Sequence, residues 1–392
     1  MEKSCFLLVF LSIFVTGCSS DKQSHEDLPY IDVREDYPEK EINLTEIADV
    51  TYLHLNTEND DFLYRGSIDY VTQNTIVVVD RSSESVLFFS KDGNPKSRFN
   101  CRGQGPEDYL RATDVMYDET KDEVYIIPGF SDYINVYSSS GEYKRKLTLP
   151  QRNLNNQIVF FDDQSILVYD NSKMAQNLNK KSFGDQTAFS EQADSSFFLI
   201  SKTDGKVLEY INLPSNNIDL SFPSNGGGFG VQLFGRVRKC PDGFLLYNPE
   251  TDTVFLYGKD KPLTPYLHKR PLLSDLDPMI AMDICMDAGK FQFISVYFYS
   301  NRGIQDPKYY MRDKKTGEIF RQKIMFPDYK GKEFDVDPRF QNYAEKEYHF
   351  ELDLIELKEA YRENRLSGKL QELVATLNEF DDNNVFMFVN FY

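Results

Sequence analysis

From Arg65 onward the chain alternates short apolar stretches with turn residues, at the spacing that antiparallel strands and their hairpins require. Gly66–Val71 (GSIDYV), Asn74–Asp80 (NTIVVVD), Ser85–Ser90 (SVLFFS) and Pro95–Phe99 (PKSRF) predict four strands, with Lys91-Asp92-Gly93-Asn94 as the last hairpin turn. Thr113–Tyr117, Asp122–Pro128, Tyr133–Ser138 and Tyr143–Leu149 repeat the plan, with Ser140-Gly141 before the fourth strand. The two third strands and their turns, SVLFFSKDGN and YINVYSSSGE, superpose at a period of about 47 residues, within the range of propeller blades.

Further units follow at Gln157–Leu213, Arg236–His268 and Asp283–Phe326. The first is interrupted by a Lys-, Asn-, Gln- and Ser-rich insertion from Asn171 to Ser195, which reads as a surface loop. Asp-Gly or Thr-Gly recurs before the last strand of a unit, where the hairpin requires a positive φ. After Phe326 the pattern gives one more strand (Tyr348–Leu354), an amphipathic helix from Ile355 to Phe380 and a terminal strand, Val385–Tyr392. At the other end Val50–Leu55 (VTYLHL) is an orphan strand. An unpaired strand at each end predicts ring closure, with the N-terminal strand completing the last sheet and removing an exposed edge. The expected fold is all-β: a six-bladed β-propeller of four-stranded antiparallel sheets over residues 42–392, with one C-terminal surface helix.

Residues 1–17 read as a cleaved leader, because the apolar run Cys5–Val15 is too short to span a hydrocarbon core of about 30 Å. Thr16-Gly17-Cys18 resembles the bacterial lipobox, which makes Cys18 the expected lipid-attachment site. Ser19, rather than Asp, after that Cys resembles the pattern sent to the outer membrane. The polar residues 18–41 are expected to be a flexible tether, so the membrane is met through the lipid only.

Composition sharpens this picture. The 62 Asp and Glu outnumber the 44 Lys and Arg, and a net charge of -18 excludes nucleic acid as the expected partner and holds the domain off an anionic bilayer. With leader and anchor set aside, Cys101, Cys240 and Cys285 remain, odd in number and without CxxC spacing, so free thiols are expected. His25, His54, His268 and His349 are scattered, and no pair has ligand spacing.

The segment RGQGPEDYLRATDV (Arg102–Val115), between the first and second units, resembles the first interblade connection of the six-bladed β-propeller lipoproteins of Bacteroides-type bacteria. Gly103, Gly105, Pro106 and Glu107 carry the match. Read from the residues alone, this is a turn whose glycines take unusual backbone angles and whose proline stops the preceding strand. Asp381-Asp382-Asn383-Asn384-Val385-Phe386 is similar to that family's terminal Asp-Asn-Pro-Val strand, with Asn384 where Pro is usual. The resemblance implies the fold from Ile42 to Tyr392 and implies no activity.

Propeller ligands usually sit at the mouth of the central channel, where the innermost strands begin. Those positions carry Asp69, Asp114 and Asp283, with Arg65, Arg111 and Arg236 close by the strand starts. Converging carboxylates would suit Ca²⁺, a hard cation, as in propeller lactonases; acids paired with the arginines around a wet channel would need no metal. Tyr297, Tyr299, Tyr309 and Tyr310 offer a stacking surface for a glycan, although no Trp is present. The expectation is a monomeric envelope lipoprotein that binds a glycan, peptide or protein partner without catalysis and without a cofactor. A Ca²⁺-dependent hydrolase or lyase is the alternative.

Overall fold

A computed structural model describes residues 28–57, 61–129, 131–150, 157–170, 195–214, 222–223, 229–230, 236–248, 251–258, 261–276, 279–300, 303–334, 336 and 348–392. The leader, Cys18 and the insertion from residue 171 to 194 lie outside the described residues. Six sheets stand in a ring, and the chain is a six-bladed β-propeller.

Blade one is Ile68–Val71, Thr75–Asp80, Ser85–Ser90 and Pro95–Phe99; blade two is Asp114–Asp118, Glu123–Ile127, Tyr133–Tyr137 and Tyr143–Thr148. Blade three is Gln157–Phe160, Ser165–Tyr169, Phe197–Ser201 and Val207–Ile211. Blade four is Val237–Cys240, Gly243–Leu246, Thr253–Gly258 and Lys261–Arg270, and blade five Ile280–Ala288, Phe291–Ser300, Gly303–Asp313 and Ile319–Met325. Among the described residues blade six has three strands, in the order Tyr348–Leu352, Val385–Phe391, Ala48–His54, where four were expected. The N-terminal strand closes the ring, pairing antiparallel from Ala48 against Phe391 to His54 against Val385.

The strand sequences follow from their place in a blade. Thr75–Asp80 is buried along its whole length, because a middle strand is covered on both faces by neighbouring blades. Its alternate residues enter different cores: Val77 and Val79 pack toward blade two, Ile76 and Val78 toward blade six. Outer strands such as Pro95–Phe99 and Tyr143–Thr148 alternate half-buried and exposed residues instead, with only Phe99 and Leu147 fully buried. Six apolar clusters result, each lying between one blade and the next around the ring. Fully burying one Val, Leu, Ile or Phe contributes about 1.5–3 kcal/mol, so these interblade seams dominate stability.

Two elements depart from expectation. The segment expected as a tether is in part built into the propeller. Tyr30–Asp32 adds parallel to Lys261–Arg270 of blade four, and Glu39–Asn43 adds parallel to Ile319–Met325 of blade five. The single C-terminal helix is two, α1 (Leu354–Arg362) and α2 (Gly368–Thr376). Asn364 at φ +55° and Gly368 at φ +53° break the pattern, and the segment between them pairs Leu366 with Tyr329. Asp353 caps α1 by accepting from the Glu356 N–H at 3.0 Å, and Leu354, Leu357, Leu370 and Val374 close the core between blades five and six. No helix among the described residues is long and apolar enough to cross a membrane.

The recurring hairpin glycines do carry positive φ: +82° at Gly93, +85° at Gly141, +78° at Gly205 and +77° at Gly317. A Cβ on Gly93 would also lie 2.2 Å from the His54 carbonyl oxygen, whereas one on Gly317 would meet nothing within 4 Å. In urea unfolding, Gly317→Ala is expected to lose about 1–2 kcal/mol to the left-handed backbone alone. Gly93→Ala is expected to lose roughly 1–3 kcal/mol more, through overpacking against the closing strand. Equal losses would show that the Gly93 contact carries no weight.

Candidate functional site

The first strand of each blade lies at the inner edge of its sheet, so the groups near its start surround the axis. Asp69 enters just after the start of blade one and Asp114 at the start of blade two, and one guanidinium serves both. Arg81 hydrogen-bonds Asp69 and donates to the Ala112 carbonyl, and its charge favours the ionised form of Asp114. Asp69 also accepts the Val79 N–H at 2.7 Å. Burial nevertheless pushes Asp69 up to about 7, against the pull of Arg81 and with an added push from Asp114. Burial raises Asp114 to about 6.

On blades four and five, Arg236 and Asp283 form an ion pair at 3.1 Å with both side chains fully buried, and the Tyr297 hydroxyl donates to Asp283 at 2.6 Å. The neighbouring Arg238 donates to the Ile284 carbonyl at 2.9 Å. Gln157, at the start of blade three, accepts the N–H groups of Arg236 and Val237 at 2.8 Å and donates to the Val237 carbonyl at 2.7 Å. His349 of blade six hydrogen-bonds the backbone of Ile68 in blade one, and its burial lowers it to about 4, so the ring is neutral. These contacts are seams between blades one and two, three and four, four and five, and six and one.

The expected residues divide accordingly. Asp69 joins Asp114, and Arg236 joins Asp283, but the two pairs sit on different blades. Arg65 is exposed, and its backbone rather than its side chain is engaged, by Asp80. Arg111 is 77% exposed and faces Glu84 at 3.6 Å, not Asp114. Among the described residues no group of three or more His, Cys, Asp or Glu is placed to hold a metal. Tyr297 and Tyr310 are buried in the blades and offer no stacking face. Sequence reasoning missed Arg81, although an antiparallel signal was present: Ile68 pairs with Val78, so the residue just past the second strand stands over the start of the first.

The domain family described as a domain of unknown function, DUF4934, matches residues 28–390, from before the first added strand into the last strand of blade six. The chain belongs to this family. Among solved structures it is similar to an exported protein from Bacteroides fragilis NCTC 9343, at 15% identity and a TM-score of 0.59, covering 90% of this chain and 99% of that one. It is also similar to a member of the DUF4221 family from Bacteroides vulgatus ATCC 8482, at 10% identity and a TM-score of 0.44, covering 88% and 97%. A streptogramin B lyase overlaps at 14% identity and a TM-score of 0.37, covering 78% and 80%. Identities this low bear on fold alone. No curated protein matches the chain.

In this DUF4934 chain the Gly103–Glu107 turn is a latch. Tyr137 donates to the Glu107 carbonyl, Asn135 to the Asp108 carbonyl at 2.9 Å and Lys146 to the Pro106 carbonyl at 3.0 Å. Its glycines serve room, not backbone angle. The Asp108 carboxylate, which accepts the Gly105 N–H at 2.7 Å, lies 2.1 Å from where a Gly103 Cβ would sit. Asn384 accepts the Leu354 N–H at 3.0 Å and donates to Glu351 at 2.6 Å.

A raised carboxyl binds its proton more tightly in the folded chain, so its contribution is complete below the unfolded value and is lost as pH rises through the folded one. For Asp114 that window runs from the ordinary carboxyl value of 3.8 to about 6. Asp114→Asn is therefore expected to gain on the wild type by about 1–3 kcal/mol between pH near 4 and pH near 7.5, read from urea midpoints. A difference that does not change with pH would contradict the shift.

Proposed function

We propose that this chain is an envelope-anchored lipoprotein whose propeller is a non-catalytic binding or scaffold domain, held to the outer membrane by a lipid on Cys18. The observation that supports it is the neutralisation of the axial groups within the fold: Asp69 by Arg81 and Asp283 by Arg236, with Gln157 and His349 engaged by backbone. Groups occupied in joining blades do not converge on a substrate. The likeness in fold to a chain described as exported fits an envelope address. A glycan, a peptide or an envelope protein would then be met on the outer faces and loops.

A Ca²⁺-dependent hydrolase or lyase is the second reading, favoured by Asp69 near 7 and Asp114 near 6, values suited to acid–base work at neutral pH. Thermal unfolding of the protein in about 5 mM CaCl₂ and then in EDTA separates the two. The binding reading predicts superimposable curves. A site at 100 times its dissociation constant would add about 2.7 kcal/mol. A calcium-dependent rise that Asp69→Asn abolishes would favour the hydrolase.

A further inference from the structure

Blade four carries a cavity of about 480 Å³ on its outer half, away from the axial seams. That volume suits one small organic molecule. Pro214, Phe255 and Leu272 supply an apolar wall, and Thr253, His268 and Arg270 supply the polar groups. Thr253 Oγ1 and His268 Nδ1 lie 2.9 Å apart, so hydroxyl and imidazole present one coupled hydrogen-bonding edge.

The charges on the lining are unequal. Lys269 is bound to Asp252 at 2.7 Å with both side chains buried, so this ion pair is closed. The Arg270 guanidinium instead lies over the Tyr30 ring, 4.3 Å from its centroid, and has no carboxylate partner among the described residues. A guanidinium held over a ring keeps its N–H edge for a further partner, and among the described residues no side chain takes it; such an edge recognises a planar carboxylate through two parallel hydrogen bonds. In a chain of net charge -18, a cavity whose uncompensated charge is positive selects an anion. The Tyr30 ring arrives on the strand that the N-terminal segment adds to this blade, so cavity and added strand are one construction.

We propose that this cavity binds a sugar acid, a pyranose bearing a carboxylate. The carboxylate lies on Arg270, ring hydroxyls on Thr253 and His268, and the C–H face of the sugar against Phe255 and Leu272. This site is distinct from the axial groups that carry the binding reading, and its failure would leave that reading standing.

Isothermal titration of the whole protein with glucuronate and with galacturonate tests it, with glucose, acetate and inorganic phosphate as comparison ligands. At least one uronate is expected to bind at least tenfold more tightly than any of the three. Arg270→Gln is expected to lose at least tenfold in uronate affinity. Should Arg270→Gln fail to fold, Leu272→Glu serves the same purpose: it sets a carboxylate at the rim from a residue 51% exposed, and it is expected to lose at least tenfold. No uronate binding at millimolar concentration, phosphate binding as tightly as uronate, or full affinity in both variants would each overturn the proposal.

Discussion

The structure depends on one pairing between the ends of the chain. Ala48–His54 joins Val385–Phe391, and without it blade six would have two strands and the ring an open edge on each side of the gap. The closing strand is also where separate parts of the chain are tied together. Asn383 donates to the carbonyls of Leu55 at 2.9 Å and Phe62 at 3.0 Å, and Asn56 donates to the Gly93 carbonyl at 2.9 Å in the last hairpin of blade one. Closure therefore fixes the path from blade six into blade one, and it brings together residues more than three hundred positions apart. Such contacts return stability only after the entropy of closing the long loop between them has been met.

A closed ring places six strand starts around one axis, where polar groups cannot all reach bulk water. The chain answers by making these groups bind the neighbouring blade. Arg81 spans blades one and two, Gln157 spans three and four, and Arg236 with Arg238 spans four and five. A buried pair such as Arg236–Asp283 adds little over a well-packed apolar contact, but removing one partner would strand a charge, so the arrangement specifies how the blades meet. On the proposed binding reading, a ligand is then met away from the axis, as in the cavity of blade four.

Most strands were legible because a middle strand covered on both faces must be an apolar run and an outer strand must alternate. Ser85–Ser90 and Pro95–Phe99 were found to the residue. Tyr30–Asp32 and Glu39–Asn43 were not legible, since edge addition uses backbone groups and leaves no apolar period. The helix break escaped for a related reason: Leu357, Leu366, Leu370 and Leu373 keep a helical stripe across it, while the interruption lies in backbone angles at Asn364 and Gly368. Asp69, Asp114 and Asp283 were chosen by their position on the first strands of their blades, which the strand boundaries bear out. Arg236 does pair with Asp283, but the partner of Asp69 and Asp114 was not read, because Arg65 and Arg111 are close in sequence while Arg81 is close across a hairpin. The cavity of blade four draws Pro214, Phe255 and Arg270 from separate segments, and no local spacing encodes it.

Amide hydrogen exchange of the native protein, followed peptide by peptide, tests the closure most directly. If the ring is closed by this pairing, the amides of Ala48–His54 and Val385–Phe391 exchange together, in the same slow opening as the middle strands of blade one. If Ala48–His54 exchanges as a frayed terminus while Val385–Phe391 and the other five sheets stay protected, the closing strand does not hold the ring.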